Sequence, residues 1–118
     1  MEAQDLRIGN WYLSTRFQTP VICEMGDFYE IYARADGSSE YTVDDIFQSI
    51  PLTEEWLLKF GFEYDNETSG WDNEKLSLDY DSEIECYYIL FYVDNSIKYV
   101  HQLQNIYFAL TGEELTIK

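Results

Sequence analysis

The amino-acid sequence predicts an α+β protein: a small β-barrel-like region at the N-terminus, then a short helix, then an antiparallel sheet with a C-terminal helix packed on it. Short apolar runs separated by turn residues occupy the first 50 positions, two later segments have helical spacing, and strand-like alternation occurs between those two. The chain has 118 residues, 46% hydrophobic and 18% aromatic, which is enough apolar matter for a core. We expect residues 1–50 and 51–118 to be two regions of one compact unit.

The N-terminal region is predicted to contain four short strands and one tight Asp-Gly hairpin turn. The strands are LRIGNWYLS (6–14), PVICEM (20–25), FYEIYARA (28–35) and EYTV (40–43), and the turn is ADGS (35–38). This arrangement resembles a small barrel of the Tudor or KOW kind, a likeness of architecture that assigns no function. Trp11, Tyr12 and Tyr29 could form an aromatic cage there, although aromatic residues in so small a core are more often packing residues.

Two segments have the apolar spacing and the end signals of helices. In PLTEEWLLKFGF (51–62), Thr53 can cap the helix, two glutamates follow in the first turn, and Gly61 can end it. In HQLQNIYFALTG (101–112), Gly112 is the stop signal. The side chains expected to face the core are Trp56, Leu57 and Phe60 in the first helix and Leu103, Ile106, Tyr107 and Leu110 in the second.

Extended segments are predicted between the two helices. KLSLDYD (75–81) alternates apolar and polar residues, as a half-exposed strand does. EIECYYILFYV (83–93) is apolar on both faces from Tyr87 onward, as in a strand covered on both sides, and IKYV (97–100) is also predicted to be extended. One face of the first strand holds Leu76, Leu78 and Tyr80, and the other holds Lys75, Ser77, Asp79 and Asp81.

Negative charge is concentrated in residues 63–85, which contain nine carboxylates and one cation, Lys75. This fifth of the chain carries a net charge of −8, half of the total of −16. We expect a loop at 63–74 followed by the strand at 75–81, and four interpretations are open: a metal site, a disordered spacer, a solvated face or a surface for a basic partner. The strand-like alternation argues against the spacer. The excess charge also repels nucleic-acid phosphates and anionic lipids, so we expect no direct binding to nucleic acid or membrane.

The expected location is the cytoplasm of a host cell. The N-terminus has no basic segment followed by an apolar run, and the longest apolar run, CYYILFYV (86–93), is far shorter than the ~20 residues that span a bilayer. Cys23 and Cys86 lie in apolar runs without zinc-like spacing, so we expect two reduced core residues in a soluble protein.

Metal binding and catalysis are both disfavoured. DNETSGWDNEKL (65–76) places oxygen ligands and Gly70 as in a calcium-binding EF-hand loop, but Leu76 stands where that loop needs a bidentate glutamate. The one histidine, His101, has no neighbouring serine or cysteine, and the glycines are scattered over turns instead of forming a phosphate-binding loop. We expect a non-enzyme with no cofactor and no metal.

Three sequence blocks resemble a family of small proteins encoded by bacteriophages, prophages and other mobile elements. The blocks are LRIGNWY (6–12), IPLTEEWLLKFGF (50–62) and IKYVHQLQNIYFALTGEEL (97–115), about a third of the chain. The resemblance implies an accessory protein of a mobile element and carries over no catalytic residue or cofactor. Many such proteins counter host defence, so the resemblance also points to an anti-defence inhibitor of the anti-CRISPR type.

The leading hypothesis is a non-enzymatic acidic inhibitor that binds a basic, nucleic-acid-binding host defence protein, such as a CRISPR effector nuclease, by nucleic-acid mimicry. Asp79 and Asp81 share a strand face at a spacing of about 7 Å, similar to that of phosphates along a nucleic-acid strand. Exposed tyrosines could instead be the anchors, with charge only steering the encounter. The candidate partner-binding residues are Asp65, Glu67, Asp72, Glu74, Asp79, Asp81, Glu83, Glu85, Tyr64 and Tyr80.

Two other interpretations of the same residues stay open. One is an interaction or assembly module of the mobile element that uses an apolar or aromatic surface. The other is a solvated sheet edge whose charge only prevents aggregation.

Overall fold

The computed structural model describes residues 6–24, 47–89 and 96–117. Within them the protein is α+β, with two antiparallel sheets and two helices, which confirms the predicted class. The chain divides into two compact units, Met1–Ile50 and Pro51–Lys118. The elements in chain order are β1 (Trp11–Ser14), β2 (Pro20–Ile22), β3 (Phe47–Gln48), α1 (Glu54–Lys59), β4 (Glu63–Asp65), β5 (Gly70–Asp72), β6 (Ser77–Asp81), β7 (Cys86–Tyr88) and α2 (Val100–Thr111).

The first unit contains a three-stranded antiparallel sheet in the order β2-β1-β3. The strand predicted at 6–14 begins only at Trp11, because a turn precedes it. In that turn Gly9 has a φ of +93°, and the Asn10 amide donates to the Arg7 carbonyl at 3.1 Å. The sequence does not predict β3, which pairs with the end of β1.

A closed barrel is not found among the residues that the structure describes, where the first sheet is open. Outside those residues lie the predicted strands at 28–35 and 40–43, the predicted turn at 35–38 and Tyr29. Tyr12 is fully buried and packs against Phe47 with ring centroids 5.3 Å apart. Its hydroxyl accepts a hydrogen bond from the Arg7 amide at 3.1 Å, so Tyr12 is a core residue and not part of a ligand cage.

The first predicted helix is confirmed as α1, and it ends in a Schellman motif. Gly61, with a φ of +88°, donates its amide to the Leu58 carbonyl, and the Phe62 amide donates back to the Leu57 carbonyl at 2.9 Å. This turn buries Leu57 and Phe62 together and leads the chain into β4. The three side chains predicted to face the core are buried: Trp56, Leu57 and Phe60.

The sheet of the second unit is a meander of four antiparallel strands in the order β4-β5-β6-β7. Each of its three turns is closed by a side-chain oxygen that accepts a hydrogen bond from an amide two or three residues ahead. These side chains are Asp65, Asn73 and Asp81, with oxygen–nitrogen distances of 2.8 to 2.9 Å. Ile97 extends the sheet by exchanging two backbone hydrogen bonds with Tyr87 of β7.

The second predicted helix is confirmed as α2, which ends at Gly112 in the left-handed conformation, with a φ of +74°. Two contacts connect the end of α2 to the β5–β6 turn. The Asn73 side-chain amide donates to the Tyr107 hydroxyl at 3.4 Å, and Lys75 forms a salt bridge with Glu113.

Besides the start of β1, three details of the prediction are wrong. The expected loop at 63–74 contains the β4–β5 hairpin, whose strands have only three residues each and are too short to show an alternation. The strand predicted at 83–93 begins at β7, because residues 82–85 form the preceding turn. Leu110 is 40% exposed, because burial of the apolar face of α2 ends at Tyr107.

Candidate functional site

The register of the four-stranded sheet shows which side chains of the acidic stretch lie on the same face of the sheet. Residues directly opposite each other in antiparallel strands share a face, and so do alternate residues along one strand. Glu63 pairs with Asp72, and Asp72 pairs with Ser77, whose strand continues to Asp79 and Asp81. Five carboxylates therefore lie on one side, termed the acidic face: Glu63, Asp65, Asp72, Asp79 and Asp81.

The acidic face contains four of the predicted partner-binding residues and one, Glu63, that the sequence analysis missed because it did not recognise β4. Glu63 is exposed and the other four are half-buried. Asp65 and Asp81 each use one carboxylate oxygen to close a turn, which orients the side chain. The Asp79 carboxylate lies over Gly70, where a Cβ atom would come within 3.0 Å of Asp79 Oδ1.

The other predicted carboxylates lie in the turns and are exposed: Glu67 between β4 and β5, Glu74 between β5 and β6, and Glu83 and Glu85 between β6 and β7. Lys75, the one cation of residues 63–85, forms its salt bridge with Glu113, and this hydrogen bond raises the pKa of the Lys75 ammonium group. The lysine therefore pairs with a carboxylate outside the acidic stretch.

Tyr64 and Tyr80 lie on the face opposite to the acidic face, where they form the walls of a cleft. Tyr64 pairs across the strands with Trp71, and Tyr80 with Tyr87, with ring centroids 5.4 and 4.9 Å apart. Trp71 and Tyr87 are buried at the floor, whereas Tyr64 and Tyr80 are 49% and 48% exposed. The cleft, termed the aromatic cleft, has a volume of about 520 Å³, and its lining is completed by Leu52, Thr53, Glu54, Ser69 and Glu85.

Sequence reasoning identified only part of the aromatic cleft. Trp71 has no strand-like signal around it, because β5 has only three residues. Glu54 has no such signal, because it reaches the cleft only through the fold, from the first turn of α1. Among the aromatic and acidic residues of the cleft, those not predicted from the sequence are Glu54, Trp71 and Tyr87.

In the described part of the chain, no group of three or more His, Cys, Asp or Glu side chains is arranged to hold a metal ion. His101 is 4% exposed, and its ring stacks on that of Tyr99 with centroids 5.9 Å apart and planes at 6°. This is a packing position at the start of α2. Cys23 and Cys86 are free and buried, as predicted.

Comparison with known proteins finds no match for this chain among family models, curated proteins or solved structures. Neither helix of the described segments has the length and apolar character needed to cross a membrane. The functional interpretation therefore depends on the acidic face and the aromatic cleft.

Proposed function

We propose that this chain is a non-enzymatic inhibitor from a mobile element that binds a basic, nucleic-acid-binding host defence protein in the cytoplasm, for example a CRISPR effector nuclease. The observation that carries the proposal is the acidic face, with five carboxylates on one side of a four-stranded sheet. Asp79 and Asp81 alternate along β6, so their Cβ atoms are about 7 Å apart, comparable to successive phosphates of a nucleic-acid strand. Such a row can occupy a groove whose lysines and arginines otherwise bind phosphates.

The fold holds these carboxylates in position before a partner arrives. β6 is an inner strand, hydrogen-bonded to β5 on one side and β7 on the other, and the turn hydrogen bonds orient Asp65 and Asp81. Groups that are already ordered lose less conformational entropy on binding than carboxylates on a disordered tail. The net charge of −16 adds long-range attraction to a basic partner.

A second candidate function, an interaction or assembly module of the mobile element, is favoured by the aromatic cleft. Half-exposed tyrosines above buried aromatic rings are typical anchors of protein interfaces. A partner held mainly by these aromatic contacts keeps its affinity at high salt, whereas a partner held by the acidic face loses it.

The test compares protein capture from a host lysate by the wild type and by the double variant Asp79→Asn/Asp81→Asn, with washes at low and high salt. The asparagines preserve side-chain size, and an asparagine at position 81 can still close the β6–β7 turn. The control, Glu55→Gln/Glu114→Gln, removes two charges from exposed positions outside the sheet. We expect the wild type and the control to capture a nucleic-acid-binding effector, and the high-salt wash to remove it. The double variant should capture at least about tenfold less of this effector.

The activity of a captured effector can be measured as a second test of the proposal. If the effector is a nuclease, the purified chain should inhibit its cleavage at a stoichiometric ratio, and the double variant should inhibit it less. Equal capture by the wild type and the double variant would contradict binding through the acidic face. Salt-resistant capture of a structural protein would support the assembly module instead.

A further inference from the structure

The aromatic cleft has the chemistry of a cation-binding site. Its four rings form two tilted pairs, Tyr64 on Trp71 and Tyr80 on Tyr87, which cover its walls and floor. The face of an aromatic ring carries partial negative charge and attracts cations, most strongly where water is displaced. The volume of about 520 Å³ lies in the range of pockets that bind small groups.

Two carboxylates in the lining of the cleft add to the attraction that the rings exert on a cation. Glu54 enters it from the first turn of α1 and Glu85 from the β6–β7 turn. Within the residues that the structure describes, the lysine salt bridges use Glu55 and Glu113 and leave the two cleft carboxylates unneutralised. Burial raises the pKa of the Tyr87 hydroxyl, and the nearby Glu54 carboxylate raises it further, so negative charge acts at the floor of the cleft.

We propose that the aromatic cleft binds an arginine side chain of a protein partner. The carboxylates require a cationic occupant, and the rings favour one with a flat, weakly hydrated surface. A guanidinium group meets both requirements, because it stacks on aromatic rings and has five N–H donors that can pair with two carboxylates at once. A lysine ammonium group is more strongly hydrated and has no planar surface to stack.

This site lies on the opposite side of the sheet from the acidic face, so the two surfaces contact different parts of a partner. The inference rests on the proposed function only in taking the arginine from the partner protein. The site itself can therefore be tested without the partner, on the intact chain.

The direct test titrates the protein with Nα-acetyl-arginine methylamide and follows the Trp71 indole N–H and the Tyr80 ring signals by NMR. The corresponding derivatives of citrulline, a neutral isostere, and of lysine are titrated in parallel. We expect saturable shifts with the arginine probe and about tenfold weaker binding, or less, for the other two.

Paired variants locate the binding site within the fold. Glu85→Gln should weaken arginine binding about three- to tenfold, whereas Glu83→Gln removes the same charge from the same turn outside the cleft and should leave binding unchanged. Tyr80→Ala should abolish saturable shifts, whereas Tyr80→Phe should preserve them, because the ring face and not the hydroxyl attracts the cation. Unchanged amide signals far from the cleft show that each variant is folded.

Equal effects of Glu85→Gln and Glu83→Gln would overturn the proposal, and so would citrulline or lysine binding as tight as that of arginine. Absence of saturable binding by the wild type would overturn it as well. That last result concerns the cleft alone and leaves the salt-sensitive capture by the acidic face unaffected, so the two proposals fail independently.

Discussion

Asp81 and Glu85 both belong to candidate binding surfaces, but they have opposite effects on the fold. Asp81 belongs to the acidic face and also closes the β6–β7 turn. Glu85 lines the aromatic cleft and has a φ of +50°, a left-handed conformation that glycine adopts at lower cost. The left-handed conformation of Glu85 therefore costs stability, and the proposed role in arginine binding accounts for a carboxylate at this position.

Replacing this residue should therefore separate stability from binding. We expect Glu85→Gly to raise the free energy of unfolding by about 0.5–1 kcal/mol, because glycine adopts the left-handed backbone conformation without the steric cost of a side chain. The greater conformational entropy of glycine in the unfolded state offsets part of this gain. The same variant should bind the arginine probe less tightly. Urea unfolding followed by tryptophan fluorescence gives the first quantity, and the NMR titration gives the second.

The control is Glu83→Gly in the same turn, where φ is not positive. Glycine at that position should leave stability unchanged or lower it. A loss of stability in Glu85→Gly comparable to that in the control would show that the left-handed conformation carries no cost here.

The helices and strands that could be predicted from the sequence are those whose own residues show a characteristic pattern. α1 and α2 combine helical spacing with a terminal glycine, and β6 shows its alternation over five residues. β4 and β5 have three residues each, and β3 has two and pairs with a strand more than 30 positions earlier in the chain. No local pattern encodes such a pairing.

The candidate site follows the same division. The period of two places Asp79 and Asp81 on one face of β6, and this prediction is confirmed. Their grouping with Asp72 depends on the β5–β6 register, and the convergence of Trp71 and Tyr87 with Glu54 depends on three separate elements. Neither grouping can be predicted from the sequence until the register of the strands is known.

The pairing of β5 with β6 depends on a glycine. A Cβ atom at Gly70 would lie 3.0 Å from the Leu78 carbonyl oxygen and 3.0 Å from Asp79 Oδ1. We expect Gly70→Ala to lower the free energy of unfolding by about 1–3 kcal/mol, because the neighbouring strand backbone cannot move away without disturbing its own hydrogen bonds. Urea unfolding measures this loss.

A double-mutant cycle with Asp79→Ala separates the two contacts of the added methyl group. Removing the Asp79 carboxylate should restore part of the loss and leave the part caused by the Leu78 carbonyl. If Gly70→Ala alone changes stability by less than about 0.5 kcal/mol, the strands are not as closely apposed as the structure shows.

At the scale of the whole molecule, total charge and its placement act on different steps of binding. The net charge of −16 produces a field that reaches beyond the contact surface and raises the rate of encounter with a basic partner. The acidic face contributes to that field, but its five carboxylates also make the short-range contacts expected to hold the partner. The two effects can therefore be distinguished kinetically.

Rate constants for a captured partner should show this division. At low salt, Asp79→Asn/Asp81→Asn and Glu55→Gln/Glu114→Gln remove the same charge, so we expect both to lower the association rate constant by a similar factor of about two to three. Near 1 M salt, where the Debye length is about 3 Å, the association rate constants of the two variants should equal that of the wild type.

Only the acidic-face variant should raise the dissociation rate constant, by about tenfold. Salt screens the charge contacts within the complex less than it screens the attraction between the separate proteins. Surface plasmon resonance over a salt series measures both constants. Equal dissociation rates for the two variants would show that the charge acts only at long range, and the contact surface would then lie elsewhere than on the acidic face.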